Sequence, residues 1–367
     1  MARLTRAQQQ ARTRASVLAA ARQEFVEHGY GQAKVDRIAE RAELTRGAVY
    51  SNFPSKRALY LAVLLDLVET AGKADATVLP GSVGDALGSF ARVWLERLPL
   101  TEDTAAGGRL HLRSLVGVVD DDRHRAVLAQ LARLEALLLA LGLEACSPER
   151  PARLVRLAEI AVTLLGGSGL LAELAPGFGD PFDRARACAH LAHLDLSDTW
   201  APPHLPYVTP ATPCQDPWTP PTGLVDRITG SPVDLGADGL VVVLGAQRLA
   251  AAEEAVRSAR PGEQVTVAAV TGDPAETGAL VRLRTGDLIT CLRRVFPPRT
   301  WEPLRLVVDD TARLAEAVGL TDVGDGTEAA VRVRDGAVVA RAGGRGAAHA
   351  AATSGTDHDT HPREVGT

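Results

Sequence analysis

TRGAVYSNFPSK, residues 45–56, sets two small residues, Gly47 and Ala48, beside the hydrogen-bonding side chains of Thr45, Arg46, Tyr50, Ser51 and Asn52. Small residues let a helix lie close against another surface, while the polar ones point outward from it. Val49 and Phe53 stand four apart and turn toward a core, whereas Arg46 and Tyr50, also four apart, share the other face. The pattern predicts a short helix that docks on something polar.

The flanking sequence extends this reading. From Arg12 to His28 the apolar residues Ala15, Leu18, Ala19, Ala21, Phe25 and Val26 recur at helical spacing, and Gly29 follows as a C-terminal stop. A second, short helix runs through Val35, Ile38, Ala39 and Ala42, and Glu43, Leu44 and Thr45 separate it from the quoted run. Two short helices across a tight turn predict a helix-turn-helix. Ser55 is placed to cap the next helix, which continues through Leu59, Leu61, Val63, Leu64 and Leu67.

The charge agrees with a polyanionic partner. The net charge of −5 conceals an asymmetry: residues 1–60 hold eleven Lys and Arg against five Asp and Glu, or +6, which leaves −11 for the remainder. With 367 residues the chain can form two or three domains, each with its own core. Residues 1–20 carry charge and glutamines without an apolar centre, so no signal peptide is expected. No run reads as the roughly 18–20 apolar residues that span a bilayer, so a cytoplasmic protein without a membrane partner is expected. Cys146, Cys188, Cys214 and Cys291 are isolated, giving neither a CxxC pair nor zinc-ligand spacing. No metal and no cofactor is expected.

The run VDRIAERAELTRGAVYSNFPSKRALYLAVL resembles the DNA-binding domain of the tetracycline-repressor (TetR) family, with residues 12–65 matching closely. The signature elements are Ile38-Ala39, the Gly47-Ala48-Val49-Tyr50 core of the recognition helix, Phe53, and Ser55-Lys56 with Leu59 after it. The resemblance implies a helix-turn-helix head over 1–65 and a helical effector-binding and dimerisation domain over 66–198. It places Thr45, Arg46, Gly47, Tyr50 and Asn52 at a double-stranded DNA operator, with Lys56 holding a phosphate at a helix N-terminus; by residue chemistry Arg46 is the candidate to read guanine, and Lys34 is within the segment that can reach a phosphate. Two departures stand out: Glu43 occupies the turn where the family carries Gly, and Ala33-Lys34 replace the usual capping hydroxyl. A left-handed backbone at Glu43 would cost about 1 kcal/mol relative to Gly.

Leucine and alanine stripes between about residues 85 and 196 continue the all-helical pattern, and the helices near 150–174 and 181–194 are expected to pair across a two-fold axis into a homodimer. Trp94, His111, Arg113 and His124 are the candidate contacts to a small-molecule effector. In LLGGSGLL, 164–171, the glycines read as close helix packing or a kink.

Eight of the twenty residues from Pro202 to Pro221 are proline, which predicts an extended linker over 199–221 that sustains neither helix nor sheet. Residues 1–200 should therefore hold every element needed for dimerisation and DNA binding. Beyond the linker, strands are expected at 240–244, 264–270, 304–308 and 329–333, with helices at 246–259 and 311–318 and a hairpin turn at Arg334-Asp335-Gly336-Ala337. LVDRITGSPVDLGADGLVVVL and the later RLVVDDTARLAEAVGL resemble a thioredoxin-like domain of the peroxiredoxin branch over 222–345. Where such enzymes carry the nucleophilic cysteine this chain reads Gly245-Ala246-Gln247-Arg248-Leu249, so no catalytic residue is expected. Residues 346–367 are expected to be a disordered tail.

The fold class expected is thus multidomain, all-α followed by α/β. The function implied is a ligand-responsive transcriptional regulator, a repressor rather than an enzyme. The rival is a thiol redox sensor or thioredoxin-like enzyme targeted to DNA by the head, with Cys291 beside Arg293 and Arg294 as its reactive group.

Overall fold

The computed structural model describes residues 5–70, 74–97, 115, 117–149, 153–175 and 177–354. The chain divides into two units, residues 1–196 with 273–297 and residues 197–272 with 298–367.

The first unit opens with α1 (Arg6–Gln32), started by a Thr5/Gln8 capping box and broken at Gly29, whose φ of 67° leaves the helical region. α2 (Val35–Arg41), α3 (Arg46–Asn52) and α4 (Lys56–Thr70) follow. α5 (Val83–Leu95), α6 (Asp122–Ala145) and α8 (Pro181–His190) begin where Ser82, Asp121 and Asp180 accept hydrogen bonds from backbone N–H groups of the first turn. α7 (Val155–Leu174) lies between α6 and α8 in sequence and packs on α6. Phe90, Leu131, Leu134 and Leu138 are fully buried here, and each such side chain contributes about 1.5–3 kcal/mol.

The second unit is a six-stranded mixed sheet. Its elements are β1 (Thr212–Pro217), β2 (Gly239–Gly245), α9 (Ala252–Ser258), β3 (Gln264–Val270), β4 (Leu304–Val308), α11 (Arg313–Ala317), β5 (Glu328–Arg334), β6 (Ala337–Gly343) and α12 (Ala347–Thr353), with α10 (Thr277–Arg293) of the first unit falling between β3 and β4 in sequence. The strand order is β1-β6-β5-β2-β3-β4, with β2, β3 and β4 parallel and β1, β6, β5 and β2 antiparallel to their neighbours in turn. β2 is buried along its length, which accounts for its unbroken apolar run. Val241, Val243, Val270, Val331, Val338 and Leu314 form one core with Trp218, whose indole N–H donates to the Leu235 carbonyl at 2.6 Å. Asp335 and Gly336 have φ values of 50° and 70°, the two left-handed residues that a type I′ hairpin turn requires between β5 and β6.

Three expectations change. The proline-rich segment does sustain a strand, because β1 is a sheet edge where Pro213 and Pro217 need donate nothing, and its register shifts between Pro213 and Asp216. The tail holds α12, which buries Ala347, Ala348, Ala350, Ala351 and Ala352, while residues 355–367 lie outside the described ones. The largest change is α10. It follows β3 and precedes β4 in sequence, yet groups with the helical unit, where it packs on α4, α6 and α5. Gly142 permits that approach: a Cβ there would stand 2.9 Å from the Phe296 ring. Residues 1–200 alone therefore lack part of the helical core.

Windows in Asp122–Ala145 and Val155–Ala172 reach mean hydropathies of 1.8 and 1.5, long and apolar enough to cross a membrane by those two measures. Charged residues interrupt each run, which hides them from a plain search for unbroken apolar sequence. In α6 the apolar positions are spent on the protein's own interior.

Candidate nucleic-acid interface

α2 and α3 are joined by a turn that the backbone itself fixes. Leu44 N–H donates to the Ala39 carbonyl and Glu43 N–H to the Glu40 carbonyl, the paired bonds of a Schellman motif with Glu43 left-handed at φ 55°. At the start of α2, Lys34 offers no side-chain cap. The orphan N–H is instead taken by Glu24, fully buried in α1, whose Oε1 accepts from Lys34 N at 3.0 Å and from Arg37 Nε at 2.7 Å. Burial alone would raise the Glu24 carboxyl, but the Arg37 and Lys34 donors hold it below the usual range. Thus the missing hydroxyl is replaced from another helix.

On this frame Arg46, Gly47 and Tyr50 share the exposed face of α3, and Lys34 is exposed at the start of α2. The Arg46 side chain is 61% exposed, with its guanidinium 5.5 Å from the Tyr50 ring centre and 3.3 Å from an equally open Asp36 carboxylate. An ion pair so exposed contributes about 0–1 kcal/mol and leaves Arg46 available to a better partner.

The other expected contacts are turned to structural work. Thr45 Oγ1 caps α3 by accepting from Ala48 N at 3.2 Å. Asn52 Nδ2 donates to the Ala48 carbonyl of its own helix at 2.9 Å. Lys56 Nζ donates to the Gly31 carbonyl at 3.2 Å and sits 4.7 Å from the Tyr30 ring centre, and its partial burial lowers its pKa. Ser55 caps α4, accepting from Ala58 N at 2.9 Å.

Much of the +6 charge is likewise internal: Arg37 and Arg41 pair with Glu24 and Glu27, and Arg57 turns inward to Asp121 and Glu276. Sequence reasoning passed over Arg14, which stacks 4.2 Å from the Phe53 ring centre and donates to the Asn52 carbonyl at 3.2 Å, fixing the end of α3. Nothing local marks it, since its partners lie in another helix.

Residues 17–63 match the model of bacterial regulatory proteins of the tetR family. They form a TetR-family helix-turn-helix domain. The HTH-type transcriptional activator FasR of Mycolicibacterium smegmatis (strain ATCC 700084 / mc(2)155) is 47% identical over 51 residues, 14% of this chain and 23% of that protein. The chain therefore spans less than a quarter of the curated relative it matches. Among solved structures, NalD, described as the secondary repressor of the MexAB-OprM multidrug efflux pump in Pseudomonas aeruginosa, is 21% identical, with 52% of this chain and 98% of that one covered at a TM-score of 0.33. A TetR-family transcriptional regulator from Pectobacterium atrosepticum is 21% identical, with 52% and 96% covered at a TM-score of 0.34. Scores this low do not carry the assignment beyond the TetR-type head.

Of the effector candidates, His111 and Arg113 lie outside the described residues. Trp94 and His124 are buried: the Trp94 indole donates to the Leu165 carbonyl at 3.3 Å, and both His124 ring nitrogens face neighbours, Asp121 at 2.8 Å and Thr277 at 3.4 Å. They are core groups of the helical unit, one a wedge and the other part of an ion network.

In the second unit, a Cβ at Gly245 would lie 2.3 Å from the Asp325 carbonyl oxygen and 2.4 Å from that of Gly324, so position 245 admits no side chain. Gln247 N–H donates to the Asp325 carbonyl, and Arg248 pairs with the buried Glu328 at 2.5 Å. The segment after β2 is closed by backbone and an ion pair rather than opened for a nucleophile. Cys291 is fully buried on α10, and its flanking arginines are engaged elsewhere, Arg293 with Asp75 and Arg294 with Glu96. Burial pushes the Cys188 thiol up to about 12 and the Cys146 thiol up to about 11.

Proposed function

We propose that the chain is a cytoplasmic, sequence-specific DNA-binding regulator, a ligand-responsive repressor that acts as a homodimer on a near-palindromic operator. The observation that carries the reading is the exposed α3 face of Arg46, Gly47 and Tyr50, held on a fixed turn inside the segment that matches the tetR family. An arginine on such a helix can meet guanine O6 and N7 with two parallel donors, which is worth about 1–3 kcal/mol of discrimination. Lys34, exposed at the start of α2, is the residue proposed to hold a phosphate and fix the register.

Support for the homodimer comes from α7 and α8. Leu170, Leu171 and Leu174 are exposed on α7, Phe178 and Phe182 are 64% and 73% exposed beyond it, and a Cβ at Gly166 or Gly167 would meet nothing within 4 Å. A second copy of the same face would bury these groups, and the glycines would let two α7 helices approach. The glycines of 164–171 thus read as packing residues whose partner is another protomer. An effector that favours wrongly spaced heads would lower DNA affinity about 5- to 150-fold.

The second unit reads as a redox-inactive thioredoxin-like domain, supported by the run β4-β3-β2-β5-β6 with its two parallel crossovers and terminal hairpin. The tetR match and the absence of a cysteine pair favour a regulator over an enzyme. The test is titration of a duplex recovered by selection: Arg46→Ala should weaken cognate binding about 5- to 150-fold while leaving random DNA nearly unchanged. Equal losses on both duplexes would show that Arg46 reads no base.

A further inference from the structure

α10 follows β3 and precedes β4 in sequence, joined to them through residues 271–276 and 294–303. Within the helical unit it is held by ion pairs rather than by apolar contact alone. Arg284 gives both Nε and Nη2 to the buried carboxylate of Glu135 on α6, at 2.9 and 2.7 Å. Asp287 meets Arg97 at 2.7 Å, and Arg293 meets Asp75 at 2.6 Å.

Its first turn meets the DNA-reading head. Glu276, the N-cap position of α10, accepts from Ser55 Oγ and from Arg57 Nη1 at 3.1 Å. Ser55 caps α4 and Arg57 lies in its first turn, three and five residues beyond the end of α3. The same guanidinium is held by Asp121 at 2.8 Å, the residue that caps α6. A carboxylate at the N-terminus of α4 also complements that helix's dipole. One side chain of α10 therefore fixes the junction through which α3 is oriented.

We propose that α10 is a built-in positioning helix: packed on α4, α5 and α6, it orders the α4 junction through Glu276 and so holds α3 in the orientation that meets DNA. This inference rests on the DNA-binding reading and deepens it, since it names the side chain that positions α3. With α10 docked, the α4 junction is ordered and α3 is ready for DNA. Without the Glu276 carboxylate, Ser55 and Arg57 lose a shared acceptor and the junction loosens, so the arrangement with Glu276 in place has the higher DNA affinity. Coupling of this kind typically changes affinity about 5- to 150-fold.

Full-length Glu276→Gln tests it, read by amide hydrogen exchange and by titration of a duplex selected from random DNA. Exchange of residues 55–60 should rise at least about tenfold while β2 and β3 keep wild-type protection, which shows that the fold is intact. DNA affinity should fall at least about fivefold. In a Val68→Cys/Gly286→Cys background, where a Cβ on 286 would stand 3.3 Å from Val68 Cγ1, an oxidised cross-link should pin α10 to α4 and remove most of that loss. Wild-type exchange in Glu276→Gln, or unchanged affinity, overturns the proposal, as does a loss that the cross-link does not reduce. A wild-type chain that enriches no duplex defeats the DNA-binding reading itself, and the exchange of residues 55–60 then decides by itself whether Glu276 orders the α4 junction.

Discussion

Replacing Arg284 with Met removes the guanidinium from Glu135 while keeping most of the apolar stem. Glu135 is about 1% exposed and both its oxygens accept from Arg284, so the substitution removes a two-pronged partner from a carboxylate in the helical core. Breaking a buried pair from one side costs about 3–5 kcal/mol. At about 1.4 kcal/mol per tenfold, this predicts faster exchange of the most protected α6 amides by a factor between about one hundred and several thousand. Global unfolding is a poorer readout, since two units need not melt as one. Native-state hydrogen exchange by mass spectrometry resolves α6 peptides from those of β2 and β3. Arg284→Met/Glu135→Leu should recover most of the protection, because a well-packed apolar pair often matches the ion pair it replaces. If α10 did not belong to the helical unit, Arg284 would be a surface residue and its loss would cost about 0.5 kcal/mol or less. Less than a tenfold change in α6 exchange would therefore refute the placement of α10.

Other outcomes follow from single residues. Glu43→Gly should raise the melting temperature, reflecting about 0.5–1 kcal/mol, because φ at that residue is 55°; a lower melting temperature would mean a different turn in solution. Lys34→Ala should flatten the slope of log affinity against log salt by about 0.9, whereas Lys56→Ala should leave that slope unchanged and cost about 0.5–1 kcal/mol of stability through the lost Tyr30 contact. The backbone N–H and ring of His124 hold the Asp121 carboxyl well below its usual range. A depressed carboxyl stabilises the fold fully above its unfolded value of about 4 and loses that contribution as pH falls through the folded one, so Asp121→Asn should flatten the acid limb of a stability profile below about pH 4. Maleimide at neutral pH should leave Cys188 and Cys291 unlabelled in the native chain, as mass spectrometry of digests would show, because both thiols are buried.

The head was legible because each of its signals is local. Gly29 breaks α1, Thr45 and Ser55 cap the helices that follow them, and Val49 and Phe53 mark the inner face within one turn. The strands were legible for the same reason, from β-branched runs and the Asp335-Gly336 turn. What stayed hidden depends on partners far away in sequence. α10 carries Arg284, Asp287 and Arg293, which by themselves look like a solvated face and find partners only when Glu135 on α6 and Arg97 and Asp75 from the connecting segments are supplied from elsewhere in the chain. Lys56 has the position of a phosphate ligand, yet the Tyr30 ring and the Gly31 carbonyl claim its ammonium. Proline argues against a strand in general but not at a sheet edge, which is where β1 lies. α12 is built of alanines whose burial no local pattern announces.

The most direct test of the central claim is selection of bound duplexes from a random pool by the full-length chain. Two α3 helices related by a two-fold axis should enrich an inverted repeat whose half-sites lie about 34–36 Å apart, one turn of DNA, or a multiple of it. Each half-site should contain a guanine whose replacement weakens binding of the wild-type chain but not of Arg46→Ala. Recovery of no common sequence, or of a motif without two-fold symmetry that binds Arg46→Ala equally well, would contradict recognition by α3.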